Sequence, residues 1–417
     1  MTDFKSGHKE KVSEANGFQL VDTALLLYPS EAGSYINRFK PFRKFVRRFS
    51  TFNYVQHCHE HGIRNTERRI LDTVRSEGVR VVICFPFATD FQLSVPFYAS
   101  LRQLTKVVFW LADDSTYFDA YSRYYAQAAD LVVTSDPLAI DAYKRLGIRA
   151  LLYFEVVANH LLRPVEIHKD IDVLFVGDMS KPGRAEQLRF LKENGIDVRD
   201  FGIGSSGGLV PLDQISDYFC RSRIVLNFSR IAEPCWINSD EPLLSRVRQL
   251  NGRIIEVALT GSLCLSEFSP PLDSFFRIGE EIAVFHNKED LLQKVRYYLS
   301  HPEERERIAG NALQRAKAEH EPDAALAAIL KKVSAALTEP LPPVDYGGIY
   351  LSRSFRRKTV NSLTFSMFIM LKQGKIGYAL ETFPMLFRYG ALDFALGFCG
   401  GLKRALLRVA SKLDSGE

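Results

Sequence analysis

The sequence predicts an α/β protein in which two doubly wound domains of parallel strands follow each other and a basic helical tail ends the chain. Short apolar runs alternate with helical patterns in the first half, and the alternation begins again after Arg163-Pro164. Such alternation is typical of parallel sheets covered by helices. At 417 residues the chain also exceeds what one core usually organises, so we expect two domains with a cleft between them.

Five apolar runs in the first half are typical of strands that are covered on both faces. The last helical pattern among them has Asp136 as a capping residue, Pro137 in its first turn and Gly147 after its end. The predicted strands are 25–28, 79–85, 107–111, 131–134 and 151–154, and the predicted helices are 66–77, 117–129 and 137–145.

The second half repeats this alternation and ends in helices. The predicted strands are 173–176, 198–201, 224–228, 262–265 and 283–285, and the predicted helices are 184–194, 212–221, 253–259, 288–300 and 302–319. A further helix over residues 324–337 could pack back across the hinge between the domains. We expect an N-terminal domain over residues 1–164 and a C-terminal domain over residues 165–338.

A stiff proline-rich linker over residues 339–350 is expected to precede a helical tail over residues 351–417. The tail holds 11 Lys/Arg and 4 Asp/Glu, whereas residues 1–350 hold 43 and 45. In the stretch 402–413, Leu402, Leu406, Val409 and Leu413 share one helical face, and Arg404, Arg408 and Lys412 lie opposite. This pattern fits a helix that lies on an anionic membrane surface and equally a helix that packs on the body.

Several features indicate a cytoplasmic protein, at or near the inner face of the cell membrane. The six cysteines are scattered and form no Cys-x-x-Cys pair, which favours reduced thiols. The N-terminus lacks the apolar core of a signal peptide, and no uncharged apolar run approaches the ~20 residues that a spanning helix needs. The His-rich stretch 57–61 matches a polar loop or helix start better than a metal site. No metal and no nucleic-acid partner are expected.

The stretch 251–267 is the most informative part of the chain. Glu256 is the one carboxylate in a predicted helix of aliphatic residues, and Glu267 ends the strand that follows. A half-buried carboxylate is costly unless hydrogen bonds are donated to it, so Glu256 needs a partner. A diol such as a nucleotide ribose would suit it. The plain alternative is an ion pair with Arg253 on the same helix.

Residues 252–267 resemble the C-terminal nucleotide-sugar motif of GT-B glycosyltransferases, in the group 1 branch around the CgeB-like spore maturation proteins. The likeness continues over residues 276–285 and 289–320, and residues 172–177 and 130–136 are similar to strands of the family's second and first domains. The resemblance implies a GT-B fold, that is, two Rossmann-like domains that face each other across a cleft. It also implies a glycosyltransferase that uses a nucleotide-sugar as co-substrate and no other cofactor.

The resemblance assigns a donor site to the second domain. Glu256 is expected to bind the donor ribose, Gly177 to let the phosphates approach the backbone, and Arg184 or Arg253 to neutralise them. A cation at a helix start is unusual, and a bound diphosphate would reverse the penalty. The remaining candidates are Asn227, Gly261 and Glu267. Many GT-B enzymes have a second Glu eight residues before the first, where this chain has Arg248.

Asp113 and Asp114 end a predicted strand of the first domain, and either is a candidate general base for the acceptor hydroxyl. A solvated loop pair is the alternative. The expected function is metal-independent hexosyl transfer to an acceptor, lipid-linked or belonging to a surface polysaccharide. A non-catalytic GT-B-like nucleotide-binding or scaffold protein at the membrane is the rival. A nicotinamide oxidoreductase is disfavoured, because the glycine motif at 202–207 lacks the helix and acidic residue of a dinucleotide site.

Overall fold

Two parallel sheets organise the protein, as its computed structural model shows. The model describes residues 18–31, 39–154, 161–230, 237, 247–340 and 346–414, with side chains to residue 408. The first sheet contains six strands in the order β2-β1-β3-β4-β5-β6, and every pair is parallel. These strands are β1 (Val21–Tyr28), β2 (Val46–Asn53), β3 (Val81–Cys84), β4 (Lys106–Leu111), β5 (Leu131–Thr134) and β6 (Ala150–Leu152).

The second sheet has five parallel strands in the order β11-β10-β9-β7-β8. Its strands are β7 (Ile171–Val176), β8 (Val198–Phe201), β9 (Ser222–Asn227), β10 (Leu263–Glu267) and β11 (Ala283–Phe285). The predicted fold class, two doubly wound sheets with a helical tail, is confirmed. The domain boundaries stay a prediction.

Thirteen α-helices of six or more residues, counted over the described residues, surround the sheets. They are α1 (Tyr54–His61), α2 (Ile63–Glu77), α3 (Val95–Arg102), α4 (Pro137–Arg145), α5 (Arg184–Glu193), α6 (Ile215–Cys220), α7 (Arg253–Thr260), α8 (Lys288–Ser300), α9 (Pro302–Glu319), α10 (Pro322–Thr338), α11 (Arg353–Lys372), α12 (Ile376–Leu386) and α13 (Ala391–Asp414).

Each sheet is buried on both faces because successive strand residues point in opposite directions. In β1, Leu25 and Leu27 lie in the core beneath α2 and α3, whereas Ala24 and Leu26 lie in the core on the opposite face. These four side chains have no exposed surface. This explains why the strands were readable as uniformly apolar runs.

The helix α10 packs on the first sheet, as the sequence allowed. Its residues Leu326, Ile329, Leu330 and Val333 share a core with strand residues such as Trp110. The chain therefore crosses back from the second sheet to the first before it enters the tail.

The fold differs from the prediction at two places in the first sheet and its helices. Strand β2 was missed because its pattern includes the exposed Arg47 and Arg48. The helix predicted over residues 117–129 is broken into a short α-turn, a π-turn and two further short turns between Asp114 and Ala128. The His-rich stretch lies on α1, where Nδ1 of His57 lies 2.8 Å from the Thr66 hydroxyl.

The tail packs on the body, which is one of the two arrangements that its sequence left open. Arg404 forms an ion pair with Asp90 at 3.0 Å and lies over the Phe365 ring, so it faces the protein. Leu406 is 62% exposed. Val409 and Leu413 lie outside the described side chains. The apolar face predicted to dock therefore points partly to solvent, and no helix among the described residues is long and apolar enough to cross a membrane.

Candidate functional site

The carboxyl ends of β7, β9 and β10 lie next to one another, and most of the donor-site candidates lie there. Gly177 follows β7, Asn227 ends β9 and Glu267 ends β10. The helices α7 and α5 begin at this same edge, with Arg253 and Arg184 as their first residues. In open parallel sheets, this is the edge where ligands bind.

Glu267 organises two arginines at this edge. Its side chain is 2% exposed, and its Oε1 atom lies 2.9 Å from Nε of Arg230 and 3.4 Å from Nε of Arg248. Its Oε2 atom accepts hydrogen bonds from the backbone N–H and the hydroxyl of Ser229. Glu267 therefore acts as an anchor for cations. Arg248, which replaces the second Glu of many GT-B enzymes, is one of the cations it holds.

Arg230 lies against the start of α5. A Cβ built on Gly183, the residue before this helix, would lie 3.5 Å from the guanidinium carbon of Arg230. Arg184 donates a hydrogen bond to the carbonyl of Asp178 at 2.9 Å and lies over the Phe175 ring. A ten-residue helix begins here beside a guanidinium group. The dipole and the first N–H groups of a helix favour an anion at its N-terminus.

Glu256 and Arg253 form an ion pair on α7. The Oε2 atom of Glu256 lies 2.7 Å from Nη1 of Arg253, and the guanidinium of Arg253 lies over the Phe219 ring. The side chains are 7% and 21% exposed. The structure thus shows the pairing that the sequence left open as the plain alternative. Ribose binding by Glu256 stays a prediction.

Asn227 and Gly177 have structural roles of their own. The Asn227 side chain is buried and donates a hydrogen bond to the Ser266 hydroxyl at 2.9 Å, which joins β9 to β10. The backbone of Gly177 pairs with Phe201 and touches Gly202, where a Cβ would lie 2.0 Å from the Gly177 carbonyl oxygen. The glycine motif at 202–207 therefore supports the loop that carries Gly177.

Gly261 lies away from the other donor-site candidates, and its role in the donor site stays a prediction. Gly261 ends α7 with a φ of 71°, the left-handed conformation that favours glycine at this position. The next residue, Ser262, contacts Lys169 before β7. Gly261 therefore lies at the amino-end edge of the sheet, because α7 runs antiparallel to the strands and starts at the edge where ligands bind.

The first sheet contributes a cavity of about 200 Å³ at the carboxyl ends of β3 and β4. Aromatic side chains form much of its wall, and Asp113 lies at its rim. The lining includes Phe85, Phe87, Trp110, Asp113, Tyr117 and Tyr121.

Gln249 joins this cavity to the second sheet. Its side-chain N–H donates to Oδ1 of Asp113 at 2.5 Å, and its backbone N–H donates to the Ser229 carbonyl at 2.9 Å. Ser229 in turn donates to Glu267. A continuous set of hydrogen bonds therefore connects the Asp113 carboxylate to Glu267, which holds Arg230 and Arg248, across the gap between the sheets.

Asp114, the other candidate base, is a buried structural carboxyl. It is 2% exposed, and its Oδ2 atom accepts hydrogen bonds from Thr134 at 2.7 Å and Tyr143 at 2.9 Å. Burial raises the pKa of Asp114 to about 6, although these hydrogen bonds act in the opposite direction. Asp113 lines the cavity, and Asp114 holds the elements beneath it together.

The sequence did not single out Gln249 or the roles of Arg230 and Arg248. Gln249 lies in an irregular segment before α7, where no periodicity marks it. The one feature of the sequence that could have indicated these three residues is their position after β9 and before α7, at the carboxyl ends of the strands of the second sheet.

The two-sheet architecture is that of the GT-B glycosyltransferases. HepE of Anabaena, solved in complex with UDP-glucose, matches with a TM-score of 0.54 at 12% identity, over 76% of this chain and 99% of that one. Sucrose-phosphate synthase from Thermosynechococcus elongatus matches with a TM-score of 0.54 at 11% identity and the same coverage. At such identities the likeness shows the fold alone.

Residues 160–331 match the family described as Glycosyl transferase-like. The spore protein CgeB of Bacillus subtilis (strain 168) is 24% identical over 222 residues, which span 49% of this chain and 67% of that protein. Residues 160–331 of this chain are thus similar to the Glycosyl transferase-like family, and the chain shares a distant similarity with CgeB.

Proposed function

We propose that this protein transfers a hexosyl group from a nucleotide-sugar to an acceptor hydroxyl. The proposal rests on Arg230 and Arg248, which Glu267 holds at the carboxyl ends of β7, β9 and β10 of a GT-B fold. HepE, which shares the fold, was solved with UDP-glucose. A nucleoside diphosphate leaving group carries negative charge that such a group matches.

On the donor side, Arg230 and the start of α5 bind the diphosphate. Arg248 adds positive charge beside them, and Glu267 keeps both guanidinium groups in place. These cations stabilise the charge that develops on the departing diphosphate, which is the usual source of electrostatic catalysis. The proposal assigns this charge to guanidinium groups and needs no metal ion. Glu256 accepts hydrogen bonds from the ribose hydroxyls, with Arg253 held beside it.

On the acceptor side, Asp113 is the proposed general base. It lies at the rim of the aromatic cavity, where sugar rings pack well, and Gln249 fixes the direction of its carboxylate. The base removes the proton of the acceptor hydroxyl as the new bond to the sugar forms. The acceptor class we propose is a surface polysaccharide or glycolipid precursor, reached from the cytoplasmic side of the membrane.

A panel of nucleotide-sugars tests this function. We expect one donor to raise the melting temperature of the protein and to be converted slowly to the nucleoside diphosphate, even without an acceptor. The Asp113→Asn variant should keep the thermal shift and lose transfer. If no nucleotide-sugar or nucleoside diphosphate in the panel binds, the proposal fails.

The rival function is nucleotide binding without catalysis. It draws support from Arg248, which stands where many GT-B enzymes have a donor-site Glu. Binding of a nucleoside diphosphate together with full stability of every donor over days would favour this rival.

A further inference from the structure

The helices α12 and α13 present a row of exposed apolar side chains on the outer side of the tail. Ile376 and Leu380 are 60% and 65% exposed, Phe387 is 53% exposed, and Leu392 and Leu396 are 59% and 49% exposed. Ile376 and Leu380 share one face of α12 because they are four residues apart. Phe387 lies in the 3-10 turn that follows α12. Leu392 and Leu396 are spaced by four on α13. We name these five residues the tail ridge.

Ring contacts join the two parts of the ridge into one surface. The Phe387 ring stacks on the Phe394 ring of α13 at 4.5 Å, and the Phe383 ring lies 5.3 Å from the Phe387 ring. Phe383 is itself 39% exposed. These ring contacts therefore connect the apolar side chains at the end of α12 with those of α13, and the exposed Arg388 borders the junction.

The ridge is supported by a packed inner face. Ala379, Met385, Leu386 and Tyr389 are at most 3% exposed and belong to the core that also contains α2, α3 and α11. Gly397 and Gly401 of α13 touch α11, since a Cβ at either would lie 2.6 Å from α11 atoms. The helices are thus anchored by their inner faces, and the ridge is not needed to hold them in place.

The exposed charges in the segment that carries the ridge have one sign. Within residues 371–408, the exposed charged residues are Lys372, Arg388, Lys403 and Arg408, and no Asp or Glu in this range is exposed. Asp393 is buried between Arg356 at 2.8 Å and Arg357 at 2.9 Å. Glu381 is half-buried.

We propose that the tail ridge docks on the surface of a bilayer that contains anionic phospholipid. Exposed Leu, Ile and Phe side chains bordered by Lys and Arg match the interfacial region of such a bilayer, where apolar groups enter the acyl boundary and cations meet phosphates. Residues 371–408 contain no exposed carboxylate that could pair with the cations of the same segment in a second copy of the chain. The ridge lies on α12, the turn after it and the first part of α13. The sequence pattern had instead offered residues 402–413 as the segment in contact with the membrane.

The docking goes beyond sugar transfer and does not depend on it. None of the ridge residues belongs to the donor side or to the aromatic cavity. Loss of docking would leave donor binding intact, and failure of the transfer proposal would leave docking intact, so the two can be judged separately.

Flotation of the full chain with vesicles tests the docking. We expect co-flotation with vesicles of 30% phosphatidylglycerol in phosphatidylcholine, little with phosphatidylcholine alone, and a decline at high salt. The double variant Leu380→Ser/Phe387→Ser should lower vesicle binding at least tenfold. Lys372→Gln and Lys403→Gln should each lower it about fivefold, as expected for one charge near an anionic surface.

Control variants separate docking by the ridge from the effects of removing any exposed leucine or of lowering the stability of the protein. Leu138→Ser alters an equally exposed leucine, 62% exposed on α4, and should leave vesicle binding unchanged. A second double variant, Leu392→Ser/Leu396→Ser, repeats the test on α13 in case the first lowers the melting temperature. The proposal is overturned if the wild-type chain does not float, if Leu138→Ser has the same effect, or if sedimentation shows that the ridge variants break a dimer.

Discussion

The Nη1 atom of Arg253 lies 2.7 Å from the Oε2 atom of Glu256, within the first turn of α7. The pair provides Glu256 with a partner before any ligand arrives, so burial of this carboxylate does not by itself require a ribose. It also places a carboxylate and a guanidinium side by side at the edge of the sheet where ligands bind. Such a pair can turn toward a diol and a phosphate of one nucleotide.

Replacing Glu256 tests its role in donor binding. In Glu256→Gln the ribose loses a charged acceptor, so we expect the dissociation constant for the donor to rise by roughly 10- to 100-fold. The variant should stay folded, with a loss of about 1–3 kcal/mol in the free energy of unfolding because Arg253 loses its partner. Calorimetry with the donor and urea unfolding measure the two effects.

Glu281→Gln is a matched control for this variant. Glu281 is also a buried carboxylate, 4% exposed and paired with Arg277 at 2.7 Å, but it precedes β11 and so lies near the amino-end edge of the sheet. A similar stability loss with unchanged donor affinity is expected. Equal donor affinity in wild type and Glu256→Gln would remove Glu256 from the donor site.

Removal of Arg230 should weaken binding of a nucleoside diphosphate. We expect Arg230→Ala to raise the dissociation constant at least tenfold and to reduce its dependence on salt, because one phosphate contact is lost. Arg221→Ala serves as the control: Arg221 also pairs with a carboxylate, that of Asp170 at 2.5 Å, but it precedes β9 at the opposite edge. An equal loss in both variants would indicate a general charge effect.

Local signals explain how much of the fold could be predicted. The bounds of α4 were predicted correctly because its cap is encoded in neighbouring residues: Oδ1 of Asp136 accepts the N–H of Leu138 at 2.9 Å. Strand β2 lies at the edge of its sheet, and two consecutive residues at its start, Arg47 and Arg48, are exposed. A search for uniformly apolar runs cannot find such a strand.

The candidate site could be predicted only in part, for a different reason. Strand ends and helix starts can be read from sequence, and these placed Glu267, Arg253 and Arg184 at one edge. The contacts of Gln249 with Asp113 and of Arg248 with Glu267 join residues 136 and 19 positions apart, which only the tertiary fold brings together. Asp113 and Asp114 look alike in sequence, yet one lies at a cavity and the other is buried.

The contact between Gly202 and Gly177 should not tolerate a methyl group. A Cβ on Gly202 would lie 2.0 Å from the Gly177 carbonyl oxygen, and φ at Gly202 is 121°, so we expect Gly202→Ala to cost about 3 kcal/mol or more. Gly310→Ala is the matched control. Gly310 lies within α9 with open space around it, so this change should stabilise by about 0.5–1 kcal/mol. Urea unfolding of both variants measures the difference, and equal effects would contradict the close backbone contact.

The stability of the protein should depend on the ionisation of Asp114. Burial raises the pKa of this carboxyl from 3.8 to about 6, so the folded state holds the proton more tightly than the unfolded state does. The bound proton therefore contributes roughly 3 kcal/mol to the free energy of unfolding. This contribution is complete below about pH 4 and is lost as the pH rises through 6.

The Asp114→Asn variant isolates this contribution because an amide does not titrate. We expect the free energy of unfolding of the wild type, minus that of Asp114→Asn, to fall between pH 4 and pH 7 in urea titrations. Ionisable groups elsewhere cancel in this difference. A difference that rises with pH would mean that the hydrogen bonds from Thr134 and Tyr143 outweigh burial and hold the carboxylate in its charged form.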